Sequence, residues 1–134
     1  MNQRGFATLE VILMVMVIGI LASIAVPRFT SVTTAANTAK IQADLSTIDT
    51  AIAVYQMEQG KDPGSDVQTL VTAKYLQAKP EPPTGKCYIE GTESPVPTGD
   101  YTINSDNRAI LGTNNTADKF HLPKNSSGGG NETP

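Results

Sequence analysis

Apolar residues dominate one long stretch near the amino terminus, from residue 6 to residue 26. Glu10 is the only ionisable side chain within it. A helix of about 21 residues rises roughly 30 Å, which matches the hydrocarbon thickness of a bilayer. In lipid, a helix satisfies every backbone N–H and C=O inside the segment. The pattern therefore predicts a membrane-spanning helix over residues 6–26, preceded by a short polar segment, residues 1–5.

The carboxylate of Glu10 needs an explanation in such a helix. An acidic side chain at the bilayer centre costs roughly 2.5–3.5 kcal/mol on insertion scales, so it is a candidate functional group. The alternative is a glutamate that lies at headgroup level and is solvated. A cleaved secretory signal is another interpretation of the stretch, with Arg4 as its basic residue and residues 23–25 as the cut site. The apolar run is longer than such signals usually carry.

The apolar pattern changes beyond Pro27. Proline lacks an amide hydrogen and crowds the preceding turn, so we expect it to kink or loosen the helix. Gly60 is a stop signal for a helical continuation over residues 27–59. Within that continuation, hydrophobic positions recur at spacings of three and four, as on one helix face: Ile41, Leu45, Ile48, Ile52 and Tyr55. We interpret this stripe as packed against a small domain, with a self-association seam as the alternative.

Residues 60–113 have the pattern of that small domain. Ser65 and Gln68 match a capping box, which predicts a short second helix ending near Leu76. Three segments are predicted as short strands, the last two joined as a hairpin: residues 86–90, 100–104 and 108–111. The predicted fold is α+β, with a long amino-terminal helix packed on a small antiparallel sheet.

The last part of the chain, residues 114–134, is predicted to be a flexible tail, because its apolar content collapses and its final nine residues are Ser-Ser-Gly-Gly-Gly-Asn-Glu-Thr-Pro. Phe120 and Leu122 are the last residues in it that could dock on the domain. The tail therefore adds little to the expected core.

Composition excludes several classes of function. The 134 residues carry a formal net charge of −3 without a visible basic stripe, so DNA binding is not indicated. No catalytic constellation is present, because His121 stands alone, so the chain is not expected to be an enzyme. Cys87, the only cysteine, lies on a predicted strand and is interpreted as a small buried hydrophobe. No metal or cofactor is predicted, because the spacing of the candidate calcium ligands matches no loop motif: Asp100, Asp106 and Asp118.

Three features of the first thirty residues occur together: Gly5-Phe6, Glu10 four residues after Phe6, and Pro27 after the apolar run. In this combination the segment resembles the amino-terminal signature of type IV pilins and the related pseudopilins. One departure is the order Ala7-Thr8-Leu9 in place of the more usual Thr-Leu-hydrophobic order. The resemblance implies a pilin-like fold.

The resemblance also implies roles for single residues. A prepilin peptidase would cut between Gly5 and Phe6, remove residues 1–5 as a leader peptide, and methylate the new terminal amine of Phe6. Glu10 would then register each subunit against the amine of a neighbour during assembly, although the chain's own amine, one helical turn away, competes for the same role. Gly19 and Pro27 would be the places where the helix loosens.

The implied function is that of a structural subunit in a helical filament that serves type II secretion, competence or a surface pilus. Its partners would be copies of itself, minor pilins, the peptidase, an inner-membrane platform protein, an assembly ATPase and, before assembly, membrane lipid. The precursor would cross the bacterial inner membrane once with its amino terminus inside, and the mature chain would lie in an extracytoplasmic filament. The alternative is a single-pass, membrane-tethered extracytoplasmic binding domain that does not polymerise.

Overall fold

The computed structural model describes residues 3–124. The first two residues of the expected leader, and residues 125–134 of the expected tail, lie outside the described residues. The chain divides into two compact units, one that ends at Thr33 and one that begins at Thr34. The first unit is helical, and all described strands belong to the second.

The first helix, α1, spans Gln3–Gln59. It contains both predicted helical segments and begins within the expected leader. It ends where Gly60 adopts a φ of 64° and its N–H donates to the backbone O of Gln56 at 2.9 Å. Glycine takes this left-handed conformation without the steric cost of a side chain, which explains why the helix stops there.

The hydrophobic stripe of α1 is the centre of the core in the second unit. Each of its five residues is buried, and Ile41, Leu45 and Ile48 are completely inaccessible. The helix, loops and strands that follow cover it with these buried side chains: Val67, Leu70, Leu76, Cys87, Tyr101, Ile103, Ala109, Leu111 and Phe120. The packing interpretation is confirmed, so the stripe is not a self-association seam. Burial of each large aliphatic side chain contributes roughly 1.5–3 kcal/mol.

The second helix, α2, spans only Gln68–Thr72. The predicted capping box is wrong, because the N-cap residue is Val67 and no side chain caps the helix there. Asp66, one residue before the N-cap, supplies a side-chain acceptor instead: its Oδ1 accepts a hydrogen bond from the N–H of Gln68 at 2.9 Å. The helix therefore starts later than the Ser65 position of the box requires.

A left-handed residue also ends α2 before the predicted end at Leu76. Lys74 has a φ of 66°, and the N–H of Tyr75 donates to the backbone O of Leu70 at 2.8 Å. The Lys74 N–H donates to the Val71 carbonyl at 3.0 Å. These two bonds form a Schellman motif, in which lysine occupies the position that usually holds glycine.

The first hairpin pairs β1, Lys86–Ile89, with β2, Thr92–Pro95, in antiparallel register. Its two-residue turn has positive φ at both Glu90 (52°) and Gly91 (79°), as a type I′ turn requires. The prediction of one strand here missed β2, because a polar segment that ends in proline has no strand pattern. The described strands thus number four, in two separate sheets, instead of three in one.

The second hairpin confirms the prediction for that region. Strand β3, Tyr101–Ile103, pairs antiparallel with β4, Ala109–Leu111. Asn104 organises the turn, because its Oδ1 accepts the N–H groups of Asp106 at 3.0 Å and Arg108 at 2.9 Å.

The first part of the expected tail contains structure that contacts the second unit. Asn115 forms an isolated bridge with Leu111, and a short 3-10 helix spans Ala117–Lys119. Phe120 is then completely buried in the core. The Glu90 N–H donates to the backbone O of Lys119 at 2.6 Å, so this segment is held against the β1–β2 turn.

Candidate functional site

Glu10 lies at one end of an apolar face of α1. The residues that follow it at spacings of three and four line a shallow concavity of about 400 Å³ together with it: Leu13, Met14, Val17 and Ile18. Glu10 itself is exposed. The face therefore presents one carboxylate beside side chains that cannot hydrogen-bond.

The large apolar side chains of the first unit are exposed in the part of the chain that the structure describes. Phe6 is 73% exposed, and the other large side chains from Leu9 to Val26 are all more than half exposed. An 18-residue window of α1 has a mean hydropathy of 2.7 and no buried share. By length and composition this is the one helix among the described residues that could cross a membrane, although a signal sequence passes the same test.

Two hydroxyl groups in this helix are satisfied within it. Thr8 Oγ1 donates to the backbone O of Arg4 at 2.8 Å, and Ser23 Oγ donates to the backbone O of Ile20 at 2.7 Å. Side chains that bond to their own helix in this way can enter lipid without leaving a donor unpaired.

The other predicted site residues lie along the same helix. Gly5 and Phe6 are both helical, so the expected cut would fall inside the first turns of α1. Glu10 follows Phe6 by about one turn. A Cβ added at Gly19 would meet no atom of another segment within 4 Å among residues 3–124, so no described segment packs closely on this glycine. The helix α1 continues through Pro27.

A group of polar side chains on α1 holds the strands in place, and sequence reasoning missed most of it. Asn37 Nδ2 donates to the backbone O atoms of Thr84 at 3.0 Å and Lys86 at 2.9 Å. Thr38 Oγ1 accepts the N–H of Tyr88 at 2.8 Å. These bonds attach the beginning of the first hairpin to the helix.

Asp44 makes a similar attachment to the second hairpin. Its Oδ2 accepts the hydroxyl of Tyr101 at 2.8 Å and lies 2.6 Å from Nζ of Lys40. Burial and the neighbouring carboxylate raise the pKa of Tyr101 far above its usual range, so the phenol stays protonated and donates. The four-residue spacing of Lys40 and Asp44 indicates their pairing, but no sequence pattern indicates Tyr101 as a partner.

Two of the three candidate calcium ligands have other partners. Asp100 pairs with Lys79 at 2.9 Å, Asp106 lies in the second hairpin turn, and Asp118 accepts the hydroxyl of Thr116. Within residues 3–124, no three His, Cys, Asp or Glu side chains are grouped as metal ligands. Cys87 is buried as interpreted, and its burial raises the pKa of the thiol.

Similarity to known proteins extends over nearly the whole chain. The type IV narrow pilus major component PilA5 of Thermus thermophilus is 30% identical over 124 residues, which cover 92% of this chain and 90% of that protein. The chain belongs to the type IV pilin-like superfamily. It is a structural protein of this superfamily and not an enzyme.

Type II secretion system core protein G is also similar to this pilin-like chain. The protein from Klebsiella pneumoniae is 28% identical over 102 residues, or 65% of this chain and 73% of that protein. The protein from Pectobacterium carotovorum is 28% identical over 81 residues, and the matched part spans about half of its length, 52%. No family model matches the chain, and no solved structure matches it.

Proposed function

We propose that the chain is the precursor of a filament subunit. A prepilin peptidase cuts it between Gly5 and Phe6 and methylates the Phe6 amine, and the mature chain polymerises through α1. The proposal is supported by membership of the pilin-like superfamily and by the match of most of the chain to a pilus major component.

The observation that carries the proposal is the exposed apolar helix with Glu10 on its face. A window of 18 residues with mean hydropathy 2.7 has no buried share within residues 3–124. Contiguous apolar surfaces of this kind mark contact with lipid or with another protein. Lipid covers the helix of the precursor, and neighbouring helices replace lipid in the filament.

Glu10 supplies the registering contact. Cleavage gives Phe6 a positive amine, and methylation retains the charge. Two opposite charges about 4 Å apart gain on the order of 4 kcal/mol at an effective dielectric constant of 20. This gain offsets the roughly 2.5–3.5 kcal/mol cost of placing a carboxylate at the bilayer centre. The amine of a neighbouring copy therefore stabilises Glu10 in the filament core.

Gly19 and Pro27 are the positions where the helix yields during packing. Because Pro27 has no N–H, the Ser23 carbonyl loses the helical hydrogen bond that a donor at position 27 would make. Among the described residues, a Cβ built at Gly19 meets no atom within 4 Å, which leaves space for the close approach of a second helix. Both allow α1 to adjust to neighbours without rearranging the domain core.

Assembly needs further partners and a defined location. The precursor crosses the bacterial inner membrane with its amino terminus inside, where the peptidase, a platform protein and an assembly ATPase act on it. Copies of the chain, with minor pilins, then form an extracytoplasmic filament. Repeated head-to-tail contacts that do not close into a ring give such a helical polymer.

Mass spectrometry of the mature protein tests this function. We expect an amino terminus at Phe6 that carries one methyl group. A terminus at Met1, or at Val26 after a secretory cut, would refute the proposed processing. A mature chain that binds a ligand but never sediments as filaments would instead support the tethered binding domain.

A further inference from the structure

The hydroxyl of Thr8 makes a hydrogen bond to a residue on the other side of the proposed cleavage site. Its Oγ1 donates to the backbone O of Arg4 at 2.8 Å. A threonine in a helix reaches carbonyls three or four residues earlier. For Thr8 these carbonyls belong to Gly5 and Arg4, and both lie on the leader side of the Gly5–Phe6 bond.

Hydrolysis of this bond removes both acceptors. Water adds across the peptide bond, so Gly5 leaves with a carboxylate and Phe6 retains the amine. The departing leader carries the Arg4 and Gly5 carbonyls with it. Three other hydroxyl groups of the first unit keep their acceptors in the mature chain, namely Ser23 on Ile20, Thr30 on Val26 and Thr33 on Phe29.

We propose that processing exposes the Thr8 hydroxyl as a hydrogen-bond donor to a carbonyl or carboxylate oxygen on a second copy of this chain. The inference rests on the proposed function, because the cut creates the donor. Residues two apart do not share a helix face, so the chain's own Glu10 is not in position to accept. Leu9 and Val11 beside Thr8 are apolar and more than half exposed. An unpaired hydroxyl among such side chains is costly, and hydroxyl groups of membrane helices bond across helix interfaces.

Substitutions of Thr8 separate its hydroxyl from its shape. Thr8→Val keeps the β-branched side chain without the donor, and Thr8→Ser keeps the donor. Thr30→Val is the matched control, because it removes a hydroxyl whose acceptor stays in the mature chain. We expect full-length Thr8→Val to give about three- to tenfold less sedimentable filament than wild type, as one interhelical hydrogen bond predicts. Thr8→Ser and Thr30→Val should assemble like wild type.

Two outcomes would overturn the inference. One is equal filament yield from Thr8→Val and Thr8→Ser. The other is a loss of helix content in the processed Thr8→Val monomer in detergent, measured by circular dichroism, because the hydroxyl would then act within its own chain. Failure of the proposed function is distinguished by mass spectrometry of the wild-type chain, where a terminus other than Phe6 refutes the cut itself.

Discussion

The carboxylate of Asp49 accepts a hydrogen bond from the backbone N–H of Ala109 at 2.7 Å. Its second oxygen lies 3.1 Å from Nε of Arg108. Ala109 is completely buried at the start of β4. Water therefore has little access to its N–H and cannot easily take the place of the Asp49 carboxylate as acceptor. A single side chain of α1 thus holds the second hairpin through a hydrogen bond to the hairpin's backbone.

Replacement of Asp49 should loosen that hairpin. We expect Asp49→Ala to lower the free energy of unfolding by about 1–3 kcal/mol, because a buried N–H loses its acceptor. Asp49→Asn retains an oxygen acceptor and should lose less. Urea titration of the detergent-solubilised chain, followed by the circular dichroism of its tyrosines, measures both. Equal stability of the alanine variant and the wild type would contradict the role given to Asp49.

Phe120 should prove to be part of the domain and not of a tail. We expect Phe120→Ala to lower the free energy of unfolding by about 3–5 kcal/mol, because it removes a fully buried ring. Leu122→Ala is the control, since Leu122 is 54% exposed and should change stability by less than about 0.5 kcal/mol. Similar small effects of both substitutions in the same urea titration would show that residues 115–123 do not complete the core.

The charge of Glu10 should matter for assembly and not for folding. We expect Glu10→Gln to reduce sedimentable filaments about tenfold or more, since a neutral amide of the same shape loses the ionic attraction to a neighbouring amine. Glu81→Gln removes the same charge from the globular unit and should assemble normally. The assay is sedimentation at matched expression, with unfolding measured in parallel. Normal filaments from Glu10→Gln would rule out a registering carboxylate.

The Lys119–Glu90 ion pair should make stability depend on acid pH. A hydrogen bond from Lys119 lowers the pKa of the Glu90 carboxyl in the folded state. The contribution is therefore present above the ordinary glutamate pKa of about 4.3 and is lost as pH falls through the lowered value. The melting temperature of Lys119→Met should lie slightly below that of wild type at pH 7. The difference should vanish at strongly acid pH, and a difference that stays constant with pH would contradict the pairing.

Local periodicity accounts for what the sequence predicted well. The extent of α1, its stop at Gly60 and the burial of the Ile41 stripe all follow from spacings within one helix. The β3–β4 hairpin was predictable because Asn and Asp residues mark the turn between two alternating segments. Each of these features is decided by residues close together in the chain.

The missed features depend on contacts between distant residues. Strand β2 has no hydrophobic alternation, and it forms because the Glu90-Gly91 turn and the edge of β1 direct its backbone. Asp49 and Ala109 are 60 positions apart, and no spacing rule connects them. The sequence did not indicate that Phe120 is fully buried, because it stands in a polar segment. Its burial depends on a space in the core that distant parts of the fold create. The assembly residues at the amino terminus remain predictions that rest on the family signature.

The polar attachments from α1 to the strands have a consequence for folding kinetics. They join residues separated by 47 positions at Asn37 and Thr84 and by 60 positions at Asp49 and Ala109. Loops of this length must close before the bonds can form, and proteins dominated by such distant contacts fold more slowly than helical bundles. We therefore expect the helix to form early and to act as the template on which the two hairpins dock in a slower, rate-limiting step.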